Sequence, residues 1–352
     1  MLIQIALLAL GVVALAFGAR LFVRGAVAIA EGFGINAFVV GVVIVGFGTS
    51  TPELAVNLTA ALAGSTDIAI GNLVGSNIAN VGLILALAAL AMPLAVRSNS
   101  VHREAWFLVG VGLLLWALAW DGLIGRVDAL ILLVLFGGIL WVLMGQARVP
   151  AIEAAPASAP VPRHAQPSPA QPSPVQLSPA QLSSAQPSPA QPLPTRRLPV
   201  LSAVSLAAGL ALLILGGWLC VDAALAIARG LGWSELLIGL TVVAVGTSLP
   251  ELAASVAAAW RGRSDIALGN VIGSCLYNAL CIPGLTALIQ PLPTTGATLL
   301  WLDLPVMIGF SVLLLILVAW RRGVSRVAGA LLLCAYVGYL SALVLFALRG
   351  VG

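Results

Sequence analysis

The chain has 352 residues, of which 61% are hydrophobic and only 8% charged, where a soluble domain carries roughly 25% charged residues. Its net charge of +4 comes from sixteen arginines and no lysine against twelve carboxylates. The arginines fall between apolar runs, so the charge speaks of membrane orientation rather than of nucleic acid, and a water-soluble globular domain is excluded.

A bilayer-crossing helix needs about 20 mostly apolar residues. In chain order the runs predict ten spans, at roughly 2–30, 36–62, 69–92, 105–120, 129–147, 200–229, 236–260, 267–289, 299–320 and 327–348. The first lacks a basic n-region and reads as a retained helix rather than a cleaved signal peptide. Backbone groups in hydrocarbon must be satisfied internally, and no alternating ten-residue pattern points to a barrel. The expected fold is an all-α polytopic membrane protein with ten transmembrane helices. Cys220, Cys275, Cys281 and Cys334 lie inside the apolar runs with no CxxC and no His partner, and read as packed thiols.

The sequence divides at 1–149, 150–199 and 200–352. The middle segment repeats SPAQP-like units, as at Gln166-Pro167-Ser168-Pro169-Ala170-Gln171-Pro172. So rich in Pro, Ser, Gln and Ala, it cannot bury a core and is expected to be a disordered linker. It splits the spans five and five. With the N-terminus outside, the inner loops hold Arg97, Arg103, Arg148, Arg163, Arg196, Arg197, Arg261, Arg263, Arg321, Arg322 and Arg326, and the outer side only Arg126, Arg229 and Arg349. The positive-inside bias places both termini outside and the linker in the cytoplasm, in the inner (plasma) membrane.

Residues 46–80, GFGTSTPELAVNLTAALAGSTDIAIGNLVGSNIAN, align without gaps to residues 244–278, AVGTSLPELAASVAAAWRGRSDIALGNVIGSCLYN, at a constant offset of 198. Five spans per half is an odd number, so the second copy enters the membrane from the opposite face. This is the inverted-topology repeat of secondary transporters, whose site lies near the midplane where the halves meet.

Each repeat carries one carboxylate deep in an apolar helix, Glu53 and Glu251, with no basic residue near it in sequence. A charge at that depth costs several kcal/mol and marks function. In Gly48-Thr49-Ser50-Thr51-Pro52-Glu53 the proline lacks an N–H and crowds the Gly48 carbonyl, and Gly246 and Pro250 repeat the arrangement, so the helix breaks and carbonyls turn toward a cavity. Thr49 and Glu53 share a helix face, as do Thr247 and Glu251, Ser76 and Asn80, and Ser274 and Asn278. Carboxylate, carbonyl, hydroxyl and amide oxygens suit Ca²⁺, Na⁺ or Mg²⁺ rather than zinc or copper. Gly71-xxx-Gly75 and Gly269-xxx-Gly273 read as close-packing surfaces, and Asp67 and Asp265 as helix N-caps.

GTSxPE followed by GNxxGSNxxN, present twice in inverted halves, resembles the calcium/cation antiporter superfamily, and in particular the prokaryotic sodium/calcium exchangers. The resemblance implies a non-enzymatic antiporter with no cofactor, working as a monomer, that exchanges Ca²⁺ for Na⁺ by alternating access. Carried over by position, the central site uses Glu53 and Glu251 with the Thr49 and Thr247 carbonyls, flanked by Asn80 and Asn278. Ser50 and Ser76 line one sodium position and Ser248 and Ser274 the other, with the carbonyls of Gly46 and Ala244. Asn278 stands where relatives often have Asp, which leaves the centre at a formal charge of −2, and Cys275 stands opposite Asn77 of the first repeat. A proton/calcium exchanger is the alternative reading, and a cation channel a further one. In such a family the first and sixth helices slide over the rest. Arg24 and Asp222 occupy equivalent positions in them, so either they pair across the pseudo-twofold axis or each snorkels to an interface.

Overall fold

The computed structural model describes residues 2–96, 100–147, 199–231, 244–295 and 298–348. The linker reading at 150–199, except Pro199, which opens a helix, and the first part of the span at 236–260 lie outside the described residues. Nearly everything described is helical, because in an apolar chain the helix satisfies each backbone group within its own segment. The first half contains α1 (Leu2–Phe33), α2 (Ala37–Thr49), α3 (Thr51–Leu62), α4 (Thr66–Ala91), α5 (Ser100–Leu118) and α6 (Arg126–Gly145). The second contains α7 (Pro199–Gly230), α8 (Leu249–Trp260), α9 (Ser264–Ile289), α10 (Leu299–Ala319) and α11 (Arg326–Leu348), with a short turn at Ala244–Gly246 before α8.

Eight of these helices are long and apolar enough to cross a membrane, and α2 with α3, bent by 41° at Ser50, makes a ninth. Of the ten expected spans, the remaining one is the run at 236–260, of which the described part is the turn at Ala244–Gly246 and α8. The exposed side chains are what a bilayer requires: on α1, for instance, Leu2, Ile3, Ile5, Leu10, Val12, Val13 and Phe17 face outward. Cys334, read as packed, is exposed on α11, while Cys220, Cys275 and Cys281 are buried.

The described elements recur at the offset of 198: α3 with α8, and the start of α4 with the start of α9. Four two-residue strands follow the same logic. β1 (Leu94–Ala95) pairs antiparallel with β4 (Gly323–Val324), and β2 (Leu123–Ile124) with β3 (Leu292–Pro293). Each ladder thus takes one strand from each half, with the roles exchanged, as a twofold relation demands. Segments this short carry no readable alternation, so the sequence gives no sign of them.

The largest contact between halves is α1 against α7, and glycines set it. A Cβ on Gly11 would lie 2.6 Å from Cys220 Sγ, one on Gly18 2.9 Å from Leu213 N, and one on Gly25 2.6 Å from Leu206 N. From α7, a Cβ on Gly209 would lie 2.3 Å from Phe22 N. Partners fall in number on α7 as they rise on α1, so the helices are antiparallel, with backbones in direct contact. This register overturns the Arg24–Asp222 pairing. Asp222 lies level with about residue 9 of α1, some 15 residues from Arg24, on the order of 22 Å along the axis. Equivalent positions on antiparallel helices lie at opposite ends, and both side chains are exposed there.

Asp67 and Asp265 are likewise not caps. The N-cap positions belong to Ser65 and Arg263, and the two aspartates sit in the first helical turn, where a carboxylate meets the positive end of the helix dipole.

Candidate functional site

α4 and α9 are the most deeply packed helices, and the broken segments α2–α3 and the turn before α8 lie against them. Gly269 and Gly273 permit this approach on one side. A Cβ on Gly273 would lie 2.3 Å from the Val42 carbonyl oxygen, and one on Gly269 2.6 Å from that of Phe38. Nothing among the described residues comes within 4 Å of a Cβ on Gly71 or Gly75; their expected partner segment lies among residues 232–243, outside the described residues.

The backbone is irregular where the polar residues gather. Ser50 (φ −82°, ψ 10°) and Ser248 (φ −90°, ψ 8°) both occupy the sparsely populated bridge region, each immediately before a helix with proline in its first turn. Regular bonding resumes with Leu54 N to Ser50 O at 3.3 Å and Leu252 N to Ser248 O at 3.1 Å, so the Thr49 and Thr247 carbonyls sit at the break. The Gly48 carbonyl, expected to turn toward a cavity, instead accepts from Thr51 Oγ1 at 2.9 Å, on the exposed side. α2 carries a π-helical stretch at Gly41–Gly46, and α4 and α9 widen into π turns at Asn80–Leu85 and Tyr277–Cys281. Such turns recur at functional positions, and here they place the Asn80 and Asn278 side chains.

Glu53 and Glu251 are each 1% exposed. Each carboxylate accepts a hydroxyl from the other half: Ser50 Oγ donates to Glu251 Oε1 at 3.0 Å, and Ser248 Oγ to Glu53 Oε1 at 3.5 Å. The two acids therefore face one another across the pseudo-twofold axis. Among the described residues, their other oxygens, Glu53 Oε2 and Glu251 Oε2, are buried with no hydrogen-bond partner, as are Asn80 Oδ1 and Asn278 Oδ1. Four buried acceptors without donors, two of them anionic, are costly unless something positive satisfies them.

The remaining expected residues fall around this centre. Ser76 and Ser274 are buried; Asn278 Nδ2 donates to Ser76 Oγ at 2.9 Å, and Ser274 Oγ to the Gly46 carbonyl at 3.2 Å. Thr49 Oγ1 lies 3.0 Å from the Val45 carbonyl and 3.2 Å from Asn270 Oδ1, and the Thr49 carbonyl lies at the break. Thr247 is half-buried, and its hydroxyl has no partner among the described residues. Ala244 opens the turn before α8, and the residues preceding it lie outside the described residues. Cys275 Sγ points at the carbonyl of its counterpart Asn77, 3.8 Å away, in a packing contact on the axis.

Asn270, absent from the expected set, is fully buried. Its Nδ2 donates to the Glu251 carbonyl at 3.1 Å and to Ser255 Oγ at 2.7 Å, and its Oδ1 meets Thr49. In the other half Asn57 takes the corresponding role, donating to the Glu53 carbonyl at 2.9 Å, while Asn72 Nδ2 has no partner among the described residues. The signal was present: Asn72 and Asn270 are amides repeated at the 198 offset inside otherwise apolar helices.

Two related halves that cross a bilayer, with buried acids meeting between them, define the architectural class of polytopic secondary transporters. Comparisons with known proteins place the chain more narrowly. Residues 3–145 and 201–345 match the family described as "Sodium/calcium exchanger protein". The chain is 37% identical over 349 residues to the "Putative antiporter CaxA" of Alkalimonas amylolytica, covering 96% of this chain and 98% of that one. It is 35% identical over 339 residues to the "Sodium/calcium exchanger MaX1" of Methanosarcina acetivorans, covering 95% and 96%. Among solved structures, the sodium-calcium exchanger NCX_Mj soaked with Na⁺ and Ca²⁺ superposes with a TM-score of 0.77 at 28% identity, covering 97% of this chain and 99% of that chain. The chain belongs to the sodium/calcium exchanger family and is a multi-pass membrane antiporter of cations, Ca²⁺ among them.

Proposed function

We propose that this protein exchanges Ca²⁺ for Na⁺ by alternating access, the two ions competing for the cavity between Glu53 and Glu251. The observation that carries the reading is the set of four buried oxygens of Glu53, Glu251, Asn80 and Asn278 that have no donor among the described residues. Hard oxygens of this kind suit Ca²⁺ and Na⁺. Two carboxylates neutralise one Ca²⁺, so the calcium-loaded centre is neutral and can be occluded. An empty centre carries two unpaired charges into a medium of low dielectric constant and crosses poorly. That difference couples the two fluxes, because only a loaded carrier switches. Ser50 with Ser76, and Ser248 with Ser274, flank the centre on its two sides as sodium positions, with the carbonyls of Gly46 and Ala244. The Thr49 and Thr247 carbonyls complete the central shell. Asn278 in place of a third acid keeps the centre at −2. In this reading the protein works as a monomer in the plasma membrane, with both termini outside and the 150–199 linker cytoplasmic.

Sodium-driven ⁴⁵Ca²⁺ uptake into proteoliposomes tests the reading. Uptake is expected in the wild type and should fall to background in Glu53→Ala and in Glu251→Ala. Persistence of uptake in either variant overturns the site. Uptake driven equally well by a pH gradient without sodium makes the counter-ion a proton, and ⁴⁵Ca²⁺ flux needing no counter-ion makes the protein a channel.

A further inference from the structure

A second feature lies away from the acidic centre, at the end of the molecule where α8 finishes. A crevice of about 620 Å³ runs between α1 and α8, its walls made by apolar side chains such as Val12, Leu15, Leu252 and Val256. Arg20 and Arg261 close one end of it. Arg261 Nη1 donates to the Arg20 carbonyl at 2.8 Å, and Arg24 lies one turn further along the same helix. The three guanidiniums are exposed, and partial burial, with the charges of Arg20 and Arg24 adding to it, lowers the Arg261 pKa. Among the described residues none of the three is in an ion pair. The nearby Glu31 is already committed to Arg263, at 2.6 Å.

The cluster is not inherited from the duplication. At the 198 offset Arg20 corresponds to Trp218, Arg24 to Asp222, and Arg261 to Ala63, so the equivalent end of the other half carries no positive charge at these positions. Its depth is marked by Trp260, 68% exposed beside Arg261, in the place that aromatic residues take at the membrane–water interface. On α1 the exposed apolar side chains that begin at Leu2 reach Phe17, one turn before Arg20, and one more, Phe33, is exposed at the end of the helix. Uncompensated like charges at headgroup depth, opening onto an apolar crevice at acyl-chain depth, match the two parts of a lipid.

We propose that Arg20, Arg24 and Arg261, with the α1–α8 crevice, bind one anionic glycerophospholipid of that leaflet, its phosphate on the arginines and one acyl chain along the apolar wall. Because the crevice joins α1 to the helix that carries Glu251, the bound lipid fastens these two elements at one end of the molecule.

The test uses the full chain in detergent, with native mass spectrometry and thermal unfolding during titration with phosphatidylglycerol, with phosphatidylcholine and with inorganic phosphate. The expected result is selective retention of phosphatidylglycerol and a rise in Tm with it alone. Replacing the arginines by glutamine, singly and together, should weaken retention by about fivefold per charge removed, while Arg126→Gln, remote from the crevice, should have no effect. Unchanged Tm of the glutamine variants before lipid is added shows that they are folded; if the triple variant is unstable, the single Arg24→Gln variant gives the readout. Equal retention of phosphatidylcholine, or full retention by the folded variants, overturns the proposal. Stabilisation by inorganic phosphate equal to that by the lipid also overturns it, since the crevice then plays no part.

Discussion

Asn270 joins both halves of the site through one side chain, bonding to the Glu251 carbonyl, to Ser255 and to Thr49 of the opposite half. Replacing it by alanine strips partners from buried polar groups, at about 1–3 kcal/mol for the group left unsatisfied. Asn270→Ala should therefore lower the thermal midpoint in detergent. Asn72→Ala should lower it less, because the Asn72 amide nitrogen has no partner among the described residues. The same comparison exposes an asymmetry between the halves. Thr49 and Asn270 meet at 3.2 Å, whereas their equivalents, the Thr247 hydroxyl and the Asn72 amide nitrogen, have no partner among the described residues, and the Ser248–Glu53 contact is 0.5 Å longer than Ser50–Glu251. Glu53, Glu251 and the serines could be picked out from the sequence because charge and hydroxyl in an apolar run are conspicuous; the roles of Asn57 and Asn270 could not, because an amide's partner is decided by a neighbouring helix.

Between elements, close packing depends on which glycines face backbone. A Cβ on Gly209 would sit 2.3 Å from Phe22 N, and backbone cannot move aside as a flexible side chain can. Gly209→Ala is expected to cost at least about 1–3 kcal/mol through overpacking, read as a lowered unfolding midpoint or as loss of folded protein on expression. Gly110 has nothing within 4 Å of its Cβ position, so Gly110→Ala should be neutral or slightly stabilising, as alanine is the better helix former. The sequence marks both residues alike, as glycine inside an apolar helix. The crossing of α1 and α7 separates them, and it also puts Arg24 and Asp222 at opposite ends.

At the scale of the whole molecule, the halves are joined by α1 against α7 and by two ladders that each take a strand from either side. If these contacts rather than chain continuity hold the halves together, residues 1–149 and 200–352 expressed as separate chains should assemble and restore sodium-driven ⁴⁵Ca²⁺ uptake. Recovery of neither a complex nor uptake would give the linker a structural role. The charge bias predicts sidedness as well. In a background with the native cysteines replaced, Ser168→Cys should react with an impermeant maleimide only when the cytoplasmic face is accessible.

The sequence alone determined the class of solvent, the approximate ends of most spans, the duplication, the two buried acids and the broken helices around them. These are properties of composition, of period and of single residue types, and each can be read without knowing what lies opposite. Tertiary structure decided which oxygens remain without donors, which glycines touch backbone, how the tiny strands cross between halves, and where three arginines gather beside a crevice. Each of these depends on residues some 200 positions apart meeting at a particular register, and hydrophobic pattern fixes which face of a helix is buried but not what it is buried against.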